Sequence, residues 1–348
     1  MKQLKTRALL LSLVAILFAA STADSFAQLT KIWDRSNENL SFQWLCKKGK
    51  LAVVNGNNVL IDLSNGQTLF NVKMPEYIYL DNSGKRFFVS NNQDEVCKVY
   101  DRFTLEYIED IQFRRYTDGY IAPDDSTRVE FVRQTHTLNF WNIYSNELKE
   151  SYKIPNTPDE PAYSIAPGSV FSNDGRYLAF HFKRTSDAVQ NNFLLYDRQT
   201  RELIMKMALP VNNFLVYQFF NKSNLMAYSE NIKLPEDDKP YSYIRIYDPD
   251  KREVVKNIKM SNVENGVFYF LLNQNDNYFI YSLVPSNDKR FYDIVNDKKL
   301  DFVLSNIPGP FYLDDSLYVA GSFEGYKFDW NVVSVDDEPN PIIPVIYP

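Results

Sequence analysis

Apolar residues run through this chain in short bursts broken by tight polar turns. In "FSNDGRYLAF" (171–180), Phe171 ends one run, Ser172 to Gly175 supply the φ > 0 positions that a tight hairpin needs, and Arg176 to Phe180 resume with strand formers. The stretch predicts one β-hairpin. The same order returns in "LCKKGKLAVV" (45–54), "LDNSGKRFFV" (80–89), "APDDSTRVEFV" (122–132), "FNKSNLMAY" (220–228), "LNQNDNYFIY" (272–281) and "YLDDSLYVA" (312–320). No long segment carries the i, i+3, i+4 pattern of an amphipathic helix, so helices are expected to be almost absent.

A second motif follows each hairpin: an apolar strand ending in an aromatic and an acid, a polar turn, and another short strand. Its copies align on Asp62, Asp101, Asn142, Asp197, Asp248, Asp293 and, in a degraded form within "VVSVDDEPNPI" (332–342), Val335, at spacings of 39, 41, 55, 51, 45 and 42 residues. Each unit therefore holds four short strands in about 45 residues, the period and strand count of a propeller blade. A single blade cannot bury both of its faces, whereas blades stacked in a closed ring cover one another and leave only short edges. The expected fold is all-β, a seven-bladed β-propeller with four antiparallel strands per blade. The 24 Tyr and 25 Phe provide broad side chains for the space between twisted sheets. Asp101, Asp197 and Asp248 end strands where a carboxylate can hold the amides of the next turn, a structural role rather than a catalytic one.

"FSNDGRYLAF" followed by "FLLYDRQTREL" (193–203) resembles the repeats of secreted bacterial propellers of the WD40-like, YVTN and TolB-type group. In that group a hairpin with a Ser-x-Asp-Gly turn precedes an Ile/Leu-Tyr-Asp strand end. The likeness spans the chain as architecture and is close in sequence only in the fourth blade. It implies a fold with many functions, from scaffolding to lactone hydrolysis, and by itself transfers no activity. Trp33-Asp34, before the first blade, is expected in a strand that closes the ring.

The start of the chain changes the cellular picture. Lys2, Lys5 and Arg7 precede the apolar run 8–20 and then "STADSFAQ" (21–28), the pattern of a secretory signal peptide cleaved near Ala27/Gln28. That run is too short to span a bilayer. The expected organisation is a leader over 1–27 and one propeller domain over 28–348, periplasmic or secreted, without a transmembrane segment. Loss of the leader removes three basic residues and one acidic one, taking the net charge from −6 to −8. An acidic surface gains nothing from a phosphate backbone, so nucleic acid is not an expected partner. Cys46 and Cys97 are open to two readings, one bridge in an oxidising compartment or two separately buried thiols.

In a four-strand meander with strands A to D from the axis outward, A–B and C–D turns share one face, while B–C loops and blade-to-blade D–A connections share the other. The extra residues fall in 112–120, 156–169, 182–191, 229–242 and 282–290, all assigned to the second face. Several long connections on one side of a rigid scaffold suggest a recognition surface. Its candidate ligand- or partner-binding residues are Arg114, Arg115, Tyr116, Tyr163, Lys183, Arg184 and Tyr241, suited to an anionic or sugar-like group through Arg contacts and ring stacking. The alternative is a solvated rim of paired charges, which fits "PEDDK" (235–239) better.

Catalytic motifs are missing from the sequence. There is no His-Glu-x-x-His, Cys-x-x-Cys, Gly-x-Ser-x-Gly, Walker or Gly-x-Gly-x-x-Gly pattern, so no metal-ligand set and no cofactor is predicted. A channel calcium would draw on distant strands and leave no local motif. His136 and His181 are the only histidines, and His181, at the end of a strand, is the weak candidate for a general base. The expected function is a non-catalytic, monomeric binding or scaffold module for a protein or glycan of the cell envelope. The rival is a propeller hydrolase or lactonase with its site at the central channel. A quinone-cofactor dehydrogenase is disfavoured by four Trp without periodic spacing.

Overall fold

The computed structural model describes residues 28–329, apart from 39, 41, 55–57, 92–95, 113–119, 133, 134, 136, 155–162, 166–169, 185–189, 211–215, 263–266, 284–287, 305–309, 315, 316 and 321–323. Its first strand, β1 (Gln28–Asp34), is set aside until the ring closes. Blade one is β2 (Phe42–Cys46), β3 (Leu51–Val54), β4 (Val59–Asp62) and β5 (Thr68–Asn71), and blade two is β6 (Glu76–Leu80), β7 (Arg86–Asn91), β8 (Val96–Asp101) and β9 (Tyr107–Gln112). Blade three is β10 (Tyr120–Ile121), β11 (Thr127–Val132), β12 (Thr137–Asn142) and β13 (Leu148–Lys153). In blade four the inner strand is split into β14 (Tyr163–Ile165) and β15 (Val170–Phe171), both paired with β16 (Tyr177–Arg184), before β17 (Gln190–Asp197) and β18 (Glu202–Pro210). Blade five is β19 (Tyr217–Phe219), β20 (Met226–Ile232), β21 (Tyr241–Asp248) and β22 (Glu253–Asn262), and blade six is β23 (Val267–Leu272), β24 (Tyr278–Leu283), β25 (Lys289–Asp293) and β26 (Lys298–Leu304). All are antiparallel meanders.

Blade seven corrects one expectation. Its first two strands, β27 (Pro310–Leu313) and β28 (Leu317–Ala320), are the hairpin read from the sequence, but its third is β29 (Glu324–Asp329) and its outer strand is β1. The copy placed at 332–342 lies outside the described residues. β1 pairs with β29 from Gln28↔Asp329 to Asp34↔Glu324, so the two ends of the domain are hydrogen-bonded into one sheet and the ring is closed. Trp33 belongs to this closing strand, as expected, and its indole N–H donates to the Leu63 carbonyl of blade one at 3.0 Å.

Seven apolar clusters hold the ring, one at each blade boundary. Alternation along each strand sends successive side chains to opposite neighbours: in β7, Phe87 and Val89 pack toward blade one, while Phe88 joins Cys97 and Val99 toward blade three. Large rings fill these gaps, with Phe140, Tyr177, Phe180, Phe193, Tyr196, Phe279, Phe291, Tyr312 and Tyr318 fully buried. One 3₁₀ turn (Ser36–Glu38) is the only helical element among the described residues, and none of those residues forms a helix long and apolar enough to cross a membrane.

Candidate functional site

The two faces of the disc are built differently, and the A–B/C–D face is given over to structure. In the C–D turns, the side chains of Asp62, Asp101, Asn142, Asp197 and Asp248 accept the amide two residues on, at 2.7 to 3.0 Å, and Asp293 accepts that of Asn296 at 2.8 Å. The fourth residue after each of these, Gly66, Leu105, Asn146, Arg201, Arg252 or Asp297, has φ between 53° and 72°. Every C–D ladder, including β29–β1, carries a bulge, which twists the outer strand away from the blade. The turn side chains thus hold backbone amides, the structural role the sequence reading gives Asp101, Asp197 and Asp248.

On the same face a polar clasp spans every blade boundary. Arg102 meets Asp62 at 3.0 Å between blades one and two, and the Asn82 amide N–H and side chain both reach the Asp125 carboxylate between two and three. Tyr196 donates to Glu150 across the next boundary at 2.8 Å, Arg176 and Tyr177 share Asp250 of blade five, and Asn221 and the Lys222 N–H are held by Asp276 of blade six. Tyr278 then donates to the Asp314 carbonyl, and Lys50 pairs with the Asp314 carboxylate at 2.6 Å.

The B–C/D–A face holds the extra length, though less of it in loops than expected. In blade one β3 and β4 have 4 residues each, whereas β16 and β17 of blade four have 8 and 8 and β21 and β22 of blade five have 8 and 10. Four or more additional residues per strand raise these sheets by about 13 Å or more. Because the A–B and C–D turns are locked, the growth goes to the other side. Segments 182–191 and 229–242, read as loops, are in part the ends of these tall hairpins, and Tyr163 lies in β14 rather than in a loop.

Register places several candidate residues together. Tyr163 is opposite Arg184, and Ser164 is opposite Lys183, at the inner edge of blade four on the B–C/D–A side. His181, three residues before the end of β16, is opposite Phe193. Arg114, Arg115, Tyr116 and His136 lie outside the described residues. Tyr241 opens β21 in blade five, opposite Asn262.

Around Tyr241 the charges close on one another. Its hydroxyl donates to Asp238 at 2.8 Å, and the Lys259 ammonium sits 3.3 Å from its ring centroid. Asp237 is buried and accepts from Lys259 at 2.8 Å, from the Tyr243 hydroxyl at 2.7 Å and from the Leu234 amide at 3.0 Å. The hydrogen bond from Lys259 leads the influences that hold the Asp237 carboxyl down to about 2. The acidic loop is therefore a paired rim, and Tyr241 stands in it with its edge half-buried. Lys259 escaped the sequence reading because it lies on β22, far along the chain, and only the β21–β22 register brings it opposite Tyr243.

Likeness to known structures is consistent with this geometry. No family model matches the chain, and no curated protein does. The chain is similar to the Cps50 (Swd1) β-propeller domain of Myceliophteria thermophila at 10% identity, covering 87% of this chain and 99% of that one, with a TM-score of 0.54. Hydrazine synthase of Kuenenia stuttgartiensis is similar at 12% identity over 72% of this chain and 75% of that one, with a TM-score of 0.46. At 10% identity the likeness to the Swd1 domain is one of fold alone: a β-propeller with WD40-like repeat architecture.

Proposed function

We propose that this protein is an exported, non-catalytic propeller that holds a protein or glycan partner of the cell envelope on its B–C/D–A face, centred on blades three to five. The supporting observation is the division of labour between the faces. One is occupied by bulged turns and inter-blade clasps that ring closure needs. The other receives the tall hairpins of blades four and five. Rigid sheets that raise polar and aromatic positions above a disc lower the ordering cost of binding. Export is supported by the leader pattern, and β1 begins at Gln28, so cleavage after Ala27 would leave every described strand of the ring in place. Periplasmic or secreted protein should then begin at Gln28 on N-terminal sequencing.

The test replaces Arg114, Arg115, Lys183 and Arg184 together by Ser and compares that variant with one carrying Lys85→Glu and Lys222→Glu on the turn face, where both lysines are exposed. Crosslinking capture from envelope extract and binding to a glycan array should fall with the first variant and persist with the second, at unchanged melting temperature. Equal capture by all three proteins would remove the reason for choosing this face.

A further inference from the structure

The clasps described so far join neighbouring blades, and one contact does not. Lys47, in the A–B turn of blade one, reaches Asn221 Oδ1 in the A–B turn of blade five at 3.5 Å. In a closed ring of seven, blades one and five are separated by blades six and seven on the shorter side, and the inner strands line the axis. The side chain therefore crosses the axial opening. This hydrogen bond joins blades which do not adjoin.

Its base is fixed. Gly49, two residues on, lies so close to blade two that a Cβ there would stand 2.7 Å from the Gly84 Cα, and Lys50 N–H closes the turn onto the Lys47 carbonyl at 3.3 Å. At the other end, the carboxylate facing Lys47 is already engaged. Asp276 accepts Asn221 N–H at 2.8 Å, Asn221 Nδ2 at 2.9 Å and Lys222 N–H at 2.7 Å, and Asn221 stands between it and the amine. Other charges of these turns are directed elsewhere: Lys50 to Asp314, Asp125 to Asn82 and Ser83, and Asp81 to its own turn, while Lys48 and Lys222 are exposed. Lys47 itself is half-buried, leaving part of its surface open to solvent.

We propose that Lys47 is a nucleophilic amine at the channel mouth that takes small aldehydes as imines. The amine lone pair attacks the carbonyl carbon, giving a carbinolamine. Loss of water, carrying away the carbonyl oxygen and two hydrogens, leaves the C=N bond. Asn221 Oδ1 accepts an N–H and orients the lone pair, and the Asp276 carboxylate lies near enough to favour the protonated imine. Burial among the turns, opposed by Asp276, holds the Lys47 ammonium down to about 8. At pH 7 this leaves roughly one amine in ten neutral, against about one in three thousand for an ordinary lysine. Lower basicity weakens the nucleophile, which reduces but does not cancel that difference. The proposal stands independently of partner capture on the opposite face.

Reductive alkylation tests it. The whole protein is treated at pH 7 with acetaldehyde and cyanoborohydride, which reduces the imine in place, and ethylated lysines are mapped by peptide mass spectrometry. Lys47 is expected to be modified at least about tenfold faster than Lys48 and Lys222, with a rate that is half-maximal near pH 8 and levels off above about pH 9. Asn221→Asp, which sets a carboxylate against the ammonium, should suppress the Lys47 rate at pH 7 severalfold. Labelling that follows exposure, with Lys47 slower than its two neighbours in the wild-type protein, would overturn the proposal whatever the variant does.

Discussion

Gly84 of blade two and Gly49 of blade one touch backbone to backbone, and a Cβ on Gly84 would stand 2.4 Å from the Gly49 Cα. Gly84 also has φ +70°. Gly175 occupies the same kind of turn in blade four with φ +76°, yet a Cβ there would meet nothing nearer than 3.4 Å. Comparing the two separates crowding from backbone strain. Gly175→Ala should cost about 1 kcal/mol, the left-handed penalty alone. Gly84→Ala must in addition push two blades apart and should cost roughly 3 kcal/mol or more. Equilibrium denaturation reads both, and equal losses would mean that the ring yields at this boundary.

The clasp between Asn82 and Asp125 has a counterpart in Asn221 and Asp276, with the same donors and the same left-handed acceptor residue. Asp125→Ala strands the Asn82 and Ser83 amides, which donate to it at 2.6 and 3.1 Å. The expected loss is about 2 to 3 kcal/mol. Asn82→Ala loses the side-chain bond to the Ala122 carbonyl at 2.9 Å but keeps the backbone N–H on Asp125, so it should cost less, and the double variant should fall short of the sum by about 1 kcal/mol. Strict additivity would show that the turns do not communicate.

Repeat number and the limits of the first six blades are legible in the sequence because the turns that set them are local. Asp62, Asp101 and Asp197 hold amides two residues away, and such bonds leave a residue signature. The left-handed position four residues after each is not legible. Leu105, Arg201 and Arg252 occupy it, since a bulged ladder imposes the conformation whatever the side chain. The seventh blade misleads for a related reason: its outer strand comes from Gln28–Asp34, so pairing partners lie at opposite ends of the sequence and no local pattern marks them. Length alone does not tell a long loop from a tall hairpin, which is why 182–191 reads as a loop when its two ends are strand.

Asp237 gives the rim a defined response to acid. Its carboxyl is held at about 2 in the folded protein by Lys259, Tyr243 and the Leu234 amide, against about 4 in an unfolded chain. A depressed carboxyl contributes stability above its unfolded pKa, and that contribution fades as pH falls from about 4 through 2. Asp237→Asn should lower stability at pH 7 and flatten the decline between pH 4 and 2, as followed by urea midpoints across that range. Asp34 is also held at about 2, chiefly by Ser36, so a residual slope is expected. An unchanged slope in the variant would show that the loop is not latched by this group.

The two thiols lie on opposite sides of one sheet. Cys46 belongs to the cluster between blades one and two, with Phe87 and Val89, whereas Cys97 packs with Phe88 and Val99 between blades two and three. Blade two separates them, so a bridge would require that blade to open, and both are free and buried. Burial pushes each thiol up to about 12, and the amide of Gly49 at 3.3 Å only partly offsets this at Cys46. At pH 8 the thiolate is then about a thousandfold scarcer than for an exposed cysteine, before access is counted. Native protein should give no colour with a disulfide thiol reagent over hours, and two equivalents should appear on denaturation without reductant. A return of zero would mean that the sulfurs are bridged and that blade two is not where β6 to β9 place it. Fast reaction of one equivalent in the native state would mean instead that a blade boundary opens on the timescale of the assay, with Cys46, 2% exposed at the end of β2, the sulfur to examine first.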